Sequence, residues 1–255
     1  MRREEWPGEK VNRLLLLQNL LFMNFGGNVF IDYITEHCFA MKSAGSLGRF
    51  NRVYNSDLVT SNEVIAIKNY FKTVNFTWVV DSTDHITIKL LEDHGFNYKG
   101  SFPAMIADLQ AVKEWDANDQ IMVREIADED LVATWISIVS HTYHYNEEEL
   151  AKALHSLIAR APQGSLKLYL GFYENKPVAA SMVVYHHDVV SLHMVGTVPS
   201  YRNKGVGYVI SCKPLLDAYH KGYITAILMA SQVGLQLAQK LGFKEYATYK
   251  IYGNY

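Results

Sequence analysis

The feature that most constrains this 255-residue chain is an internal repeat at a constant offset of 147 residues. LLEDHGF at 90–96 matches LAQKLGF at 237–243, with leucine, glycine and phenylalanine at the same places. Extended upstream without a gap, the offset lays FTWVV at 76–80 over YITAI at 223–227, and both are rich in β-forming residues. Self-similarity at a fixed spacing indicates repeated structural units, so the sequence predicts two related domains.

Further upstream, the same offset places two unlike loops at equivalent positions. Residues 61–72 fall on 208–219, and both segments have a helical pattern, although Pro214 should shorten or kink the second. Just before them, NSDLVT at 55–60 falls on RNKGVG at 202–207. Only the second loop carries glycines and cations, which predicts a functional loop in the C-terminal half and a degenerate one in the N-terminal half.

The polar, turn-rich segment KEWDANDQ at 113–120 has the composition of a linker. We place the domain boundary there, with one domain over 1–116 and the other over 117–255. In the second domain, Asp128 and Asn146 are suited to cap two successive helices, which end by residues 140 and 161. The predicted strands around these helices are 121–126, 166–173, 177–185 and 189–198.

Composition narrows the possible partners and compartment. The net charge is −2 and no Lys/Arg run occurs, so a nucleic-acid partner is not expected. Cys38 and Cys212 lie far apart without metal-ligand spacing, which favours reduced thiols in a cytoplasmic protein. The apolar stretch at 14–23 is too short to span a membrane, which needs about 20 residues, and it is predicted to pack on a core. No signal peptide, membrane partner or metal site is expected, and a monomer and a homodimer both remain open.

The segment 198–207, VPSYRNKGVG, lies between a predicted strand and a predicted helix. A helix start presents unpaired N–H groups and the positive end of the helix dipole, which suits a pyrophosphate. Gly205 and Gly207 allow positive φ and a close approach of the backbone to a ligand. Arg202 and Lys204 add positive charge beside it.

Two common nucleotide loops do not fit these residues. A Walker loop needs Gly-Lys-Ser/Thr, and Gly207 is followed by Tyr208 and Val209. A dinucleotide fingerprint needs a third glycine where Ile210 stands and an acidic residue about 20 positions later, near Lys221.

The pattern VPxYRxKGxG, followed by a helix, a strand and LxxxLGF, resembles the GNAT superfamily of N-acetyltransferases. The resemblance covers about 135 residues, from Ile121 to the C-terminus. The N-terminal half, ending GFNYKGSFPAMIADL, resembles the degenerate half of tandem GNAT proteins. The implied fold is α/β (α+β), with two domains that each have a mixed, mostly antiparallel sheet flanked by helices. In the C-terminal domain, strands 4 and 5 should splay apart.

The resemblance implies transfer of an acetyl group from acetyl-CoA to a primary amine of a small molecule or protein by direct attack. The implied cofactor contacts comprise the backbone of the splayed fourth strand, the loop and a residue at the end of the fifth strand. These are Val195, Thr197, Arg202, Asn203, Lys204, Gly205, Val206, Gly207 and Ser231. A backbone N–H near Val195 is expected to stabilise the developing oxyanion.

The proton donor is less clear. In much of the family a tyrosine within LYxKLGF protonates the leaving thiolate, and the matching residue here is Ala238. Three explanations are therefore open: another side chain protonates the thiolate, water protonates it, or the domain has lost catalysis. His193 is one candidate because strand alternation should place it on the face of Val195 and Thr197, although a packed, hydrogen-bonded histidine is the alternative. Ser231 is the other catalytic candidate.

His141, Tyr143 and Tyr145 cluster between the first two helices of the C-terminal domain, where the family usually forms the acceptor site. The same cluster is also compatible with an aromatic surface loop. Because of Ala238 and the eroded N-terminal loop, a second function remains open, namely a non-catalytic acyl-CoA sensor or an interaction protein.

Overall fold

The computed structural model describes residues 31–42, 51–55, 58–114, 119–186 and 188–255. The helix predicted at 14–23 and the centre of the linker at 115–118 lie outside these residues. Within the described part of the chain, no helix is both long enough and apolar enough to cross a membrane.

The N-terminal half forms two helices and five strands in the described residues. They are β1 (Ile31–Ile34), β2 (Cys38–Met41), β3 (Arg52–Asn55), α1 (Ser61–Phe71), β4 (Thr77–Asp81), α2 (His85–Asp93) and β5 (Asn97–Asp108). Helix α1 begins with a capping box in which the Thr60 side chain and Glu63 satisfy each other's backbone N–H groups. This contact defines where the loop ends and the helix starts.

The C-terminal half follows the predicted order of elements. They are β6 (Ile121–Ile126), α3 (Glu129–Tyr143), α4 (Glu147–Arg160), β7 (Leu166–Tyr173), β8 (Lys176–His186), β9 (Val189–Thr197), α5 (Val206–His220), β10 (Thr225–Met229), α6 (Leu235–Lys240) and β11 (Lys244–Gly253). Asp128 and Asn146 cap α3 and α4, as predicted. Helix α5 runs through Pro214 to His220, so the prediction that proline shortens it is wrong.

The eleven strands of the described residues join one mixed sheet in the order β1-β2-β3-β4-β11-β5-β10-β9-β8-β7-β6. The predicted mixed, mostly antiparallel sheet with flanking helices is therefore confirmed. The sheet also shows an exchange between the halves. Strand β11 pairs with β4 of the N-terminal half, and β5 pairs with β10 of the C-terminal half. Each half thus completes its part of the sheet with the last strand of the other.

The centre of this exchange is an internal two-fold axis. Strands β5 and β11 are antiparallel, with Phe102 opposite Tyr249, and the 147-residue offset relates these same two residues. Their rings stack with centroids 6.0 Å apart. The pairing slips at two places, leaving Lys99 and Tyr246 as the extra residues, and these two are also related by the offset. The repeat therefore holds in the tertiary structure as well as in the sequence.

Upstream, the ungapped repeat fails by three residues. Val79 of β4 lies opposite Ile251 and Met229 of β10 lies opposite Ala104, and the 147-residue offset relates Ala104 to Ile251, so the two strands are offset by 150 residues. The predicted superposition of 76–80 on 223–227 is therefore out of register, because helix α2 has nine residues and helix α6 has six.

Helices α3 and α4 cover one face of the C-terminal part of the sheet, and α5 packs on the other. Trp135 of α3 is buried there and donates its ring N–H to the Ser181 carbonyl, 2.9 Å away. The apolar cluster under α3 continues into the N-terminal half through Tyr54 and Val79. The two halves therefore share a core.

Candidate cofactor and acceptor site

A gap opens in the sheet between β9 and β10. The two strands run parallel and pair only from Val189 to Ser191 on β9, opposite Thr225 to Ile227 on β10. Strand β9 then continues to Thr197 along β8, while β10 continues along β5. The edges of β9 and β10 that face each other beyond Ser191 are therefore unpaired with one another. This is the predicted splaying of the fourth and fifth strands of the C-terminal domain.

A β-bulge lies on β9 at the point where the gap opens. Met194 has φ of 50°, in the left-handed region, and the pairing with β8 shifts by one residue between Ala180 and Met182. A bulge turns the following side chains to the opposite face of the strand. Leu192 and Val195 are three residues apart and would face opposite sides of an unbroken strand. Because of the bulge, both pack in the cluster under α5.

The bulge overturns the prediction that His193 shares a face with Val195 and Thr197. His193 lies on the face of Ser191, whose hydroxyl is 2.8 Å from His193 Nε2. Thr197 instead faces α5, where its hydroxyl would be 3.6 Å from a Cβ built on Gly207. The alternation of faces along β9 fails here because the bulge adds one residue to β9 between His193 and Gly196.

His193 is a neutral, hydrogen-bonded histidine at neutral pH. Burial lowers the pKa of its imidazole to about 4, because the charged form loses its hydration. His193 Nε2 and the Ser191 hydroxyl share a hydrogen bond, and the hydroxyl also lies 3.3 Å from the Val184 carbonyl oxygen. This arrangement agrees with the packed-histidine alternative.

The loop before α5 has the backbone of an anion-binding turn. Pro199–Tyr201 forms a 3₁₀ turn, after which Asn203 and Gly205 have φ of 61° and 83°. Gly205 is the N-cap of α5, and no side chain caps that helix. The first N–H groups of any helix lack intrahelical partners, so this end of α5 is suited to a pyrophosphate. A residue with a Cβ would be strained at Gly205.

The two loop cations make different contacts beside this turn. Arg202 donates from Nε to the Thr197 carbonyl at 3.2 Å, at the end of the unpaired segment of β9. The Lys204 ammonium lies 4.9 Å from the Tyr173 ring centroid and 5.1 Å from that of Tyr201. Strand β9, the loop and the start of α5 thus form one continuous surface. Its backbone groups and charges fit a phosphorylated ligand with an extended arm.

The equivalent end of α1 holds a carboxylate belonging to the chain itself. Glu63 accepts hydrogen bonds from the Thr35 hydroxyl at 2.7 Å, the His37 backbone N–H at 3.1 Å and the Thr60 backbone N–H at 3.0 Å. Burial opposes ionisation of Glu63, but these hydrogen bonds outweigh it and lower its pKa to about 2. The sequence comparison found the missing glycines of this loop but not this internal anion, whose partners are up to 28 residues away.

The three predicted acceptor residues separate in the structure. Tyr143 turns toward the sheet and donates its hydroxyl to the Val195 carbonyl at 2.8 Å, and its ring stacks on Tyr145. Burial raises the pKa of Tyr143 well above its usual range, so it stays protonated. His141 is exposed and lines a shallow groove with His144, Ser137 and Tyr145. Tyr143 therefore reaches β9 beside the gap, whereas Tyr145 lines the same groove as His141.

Ser231 and Ala238 follow the end of β10. The Ser231 hydroxyl accepts a hydrogen bond from the Gly234 N–H at 3.1 Å, which leaves its own proton available to donate. Ala238 is buried in α6, on the side of the sheet that carries α5.

Another contact, absent from the sequence-based predictions, joins α3 to β9. Thr142 packs so closely on Gly196 that a Cβ there would lie 3.0 Å from the threonine methyl group. No sequence spacing signals this contact.

Within the described residues, no cluster of three or more histidine, cysteine or acidic side chains is arranged to hold a metal ion.

No family model and no curated protein sequence matches the chain. Solved structures do match it. A GCN5-related N-acetyltransferase from Kribbella flavida superposes with a TM-score of 0.70 at 14% identity, covering 93% of this chain and 94% of its own. Another, from Sphaerobacter thermophilus, has a TM-score of 0.64 at 14% identity and coverages of 85% and 76%. A tandem GNAT protein from the clavulanic acid biosynthesis pathway has a TM-score of 0.60 at 9% identity and coverages of 79% and 74%. The chain therefore has the fold of the GCN5-related N-acetyltransferases, in a two-part arrangement shared with a tandem member.

Proposed function

We propose that the chain is an N-acetyltransferase that binds acetyl-CoA at the β9–β10 gap and transfers the acetyl group to a primary amine. The observation that carries the proposal is the gap itself, which leads directly to the uncapped start of α5. Val195 and Thr197 offer backbone groups to the pantetheine arm. The backbone from Arg202 to Gly207 receives the pyrophosphate, and the Ser231 hydroxyl donates to the cofactor.

The bulge on β9 supplies the electrostatic part of the chemistry. The amine nitrogen attacks the thioester carbon, negative charge develops on the carbonyl oxygen, and the carbon–sulfur bond then breaks. Met194 takes the backbone out of regular pairing with β8, so a backbone N–H near Val195 is available to that oxygen. Tyr143 holds the Val195 carbonyl and with it the orientation of the bulge.

Water is the proposed carrier of protons in this reaction. The amine must lose a proton and the departing sulfur must gain one. His193 is neutral with a pKa near 4, and Tyr143 holds its proton tightly, so neither exchanges a proton readily at neutral pH. Ala238 provides no acid in the place where much of the family has tyrosine.

The matched variants Gly205→Glu and Leu58→Glu test the cofactor site. Leu58 lies in the loop before α1, two residues before its N-cap Thr60, and is 48% exposed. Glutamate at 205 would be strained at the φ of 83° and would place a bulky negative charge at the start of α5. We therefore expect it to abolish acetyl-CoA binding in isothermal titration. Leu58→Glu should bind normally with one acetyl-CoA per chain. Equal loss in both variants, or no binding by the unmodified protein at millimolar acetyl-CoA, refutes the proposal.

A non-catalytic acyl-CoA sensor is the second candidate, and Ala238 favours it. Release of free thiol from acetyl-CoA in the presence of a panel of primary amines separates the two functions. Binding without any amine-dependent thiol release identifies the sensor.

A further inference from the structure

The face of the sheet under α3 continues beyond the gap as a surface of apolar side chains. We call this surface the apolar floor. It comprises Met194 of β9, Met229 of β10, Phe102 and Ala104 of β5, and Ala247 of β11. Ala104 is buried, and the other four are partly exposed. The floor lies beside the gap and crosses from one half of the chain to the other.

The register of the strands places the floor at the mouth of the gap. The last β9–β10 pair is Ser191 with Ile227. Met194 is three residues beyond this pair and Met229 is two, so both lie about 7 to 10 Å past it at the usual strand rise. Met229 is opposite Ala104, and Ala104 is opposite Ala247. Phe102 follows on the same face, so the floor is continuous from the gap to the two-fold axis.

The chemistry of the floor selects one kind of amine. No side chain in the floor carries a charge, and the neighbouring Ile106, Ile227 and Tyr249 belong to the buried cluster beneath α3. An ammonium group on this surface would lose hydration without gaining a carboxylate. An apolar substituent would instead leave water for contact with Phe102 and the two methionines. The floor therefore favours an amine that arrives neutral on an apolar body.

We infer that the acceptor is a primary amine with an aromatic or large aliphatic body, and that Phe102 determines this specificity. The inference rests on the proposed acetyltransferase function and specifies its substrate class. Phe102 belongs to the N-terminal half and is two residues from Ala104, which lies opposite Met229 of β10. The N-terminal half thereby contributes part of the apolar floor of the acceptor site.

The test compares 2-phenylethylamine with ethanolamine, two primary amines that differ at the far end of the same two-carbon chain. Binding of each amine to the full chain is measured by saturation-transfer NMR with and without CoA, and turnover is measured by thiol release. We expect phenylethylamine to bind at least about tenfold more tightly than ethanolamine. Phe102→Ala should remove about tenfold of the phenylethylamine affinity and leave ethanolamine unchanged, and Phe102→Leu should keep most of it.

Tyr98→Ala is the matched control, since Tyr98 is on the same strand, beyond the bulge at Lys99, and is 56% exposed. Tyr98→Ala should change the affinity for neither amine. Equal affinity for the two amines, tighter binding of ethanolamine, or an equal effect of Phe102→Ala on both overturns the inference. Failure of acetyl-CoA to bind is scored separately by calorimetry and refutes the proposed function instead, while the amine-binding arm without CoA still tests the floor.

Discussion

Replacing Glu63 with glutamine tests whether the N-terminal half uses its own carboxylate in place of a cofactor phosphate. The pKa of Glu63 falls from an ordinary 4.5 to about 2 in the folded chain. By linkage, this difference corresponds to about 3 kcal/mol of folding free energy. The side chain is only 12% exposed, so solvent screens its hydrogen bonds weakly. We expect Glu63→Gln to lower the unfolding free energy at pH 7 by about 2 to 3 kcal/mol, because glutamine retains one acceptor oxygen.

The effect must depend on pH with a defined sign. A carboxylate whose pKa is lowered by folding stabilises the folded state above the pKa of the unfolded chain, near 4.5, and this contribution disappears as the pH falls through about 2. Urea unfolding at several pH values from 7 to 3 should therefore show the difference between Glu63→Gln and the unmodified chain shrinking below pH 4.5.

Glu148→Gln is the control, since Glu148 pairs with Lys152 on an exposed helix surface and should leave the unfolding free energy nearly unchanged. A Glu63→Gln effect that is absent at pH 7, or equally large at pH 7 and pH 3, refutes the reasoning. Calorimetry on Glu63→Gln should still give one acetyl-CoA per chain, because the loop at 55–60 lacks glycine.

Three further predictions concern the gap and its loop. Gly205→Ala should weaken acetyl-CoA binding about tenfold in calorimetry through backbone strain at φ of 83°, and an unchanged Kd contradicts this. Tyr143→Phe should lower kcat by about tenfold or more with little change in acetyl-CoA affinity, because the Val195 carbonyl loses its donor; a change in Kd alone contradicts a role in orienting the bulge. Gly196→Ala should lower the unfolding free energy by about 1 to 3 kcal/mol, since the new methyl group meets Thr142 at 3.0 Å, and Thr142→Ser should recover part of the loss.

Much of the C-terminal half was predictable because its signals are local. The Asp128 and Asn146 side chains accept hydrogen bonds from N–H groups that are at most three residues away in sequence. Strand β6 was predicted at its observed limits. The loop at 202–207 was found from the need for glycine at positive φ, and Gly205 has that conformation. The substrate, the cofactor contacts and the domain boundary at 116 remain predictions.

The errors came where a contact distant in sequence decided the geometry. His193 was assigned to the wrong face because alternation assumes an unbroken strand, and Met194 breaks it by bulging against β8. The assignment of His141, Tyr143 and Tyr145 to an acceptor site remains a prediction.

The sequence by itself determined the repeat near the ends of the two halves, the order of elements in the C-terminal half and the presence of glycines and cations at 202–207 but not at 55–60. These follow from residue types and spacings that act within a few turns or strands. The tertiary structure alone decided that β5 and β11 exchange between the halves and that Thr35 and His37 donate hydrogen bonds to Glu63. The same holds for the pairing of Ala104, two residues from Phe102, with Met229 of β10. Strand pairing and burial join residues more than a hundred positions apart, and no local pattern encodes which edge a strand will choose.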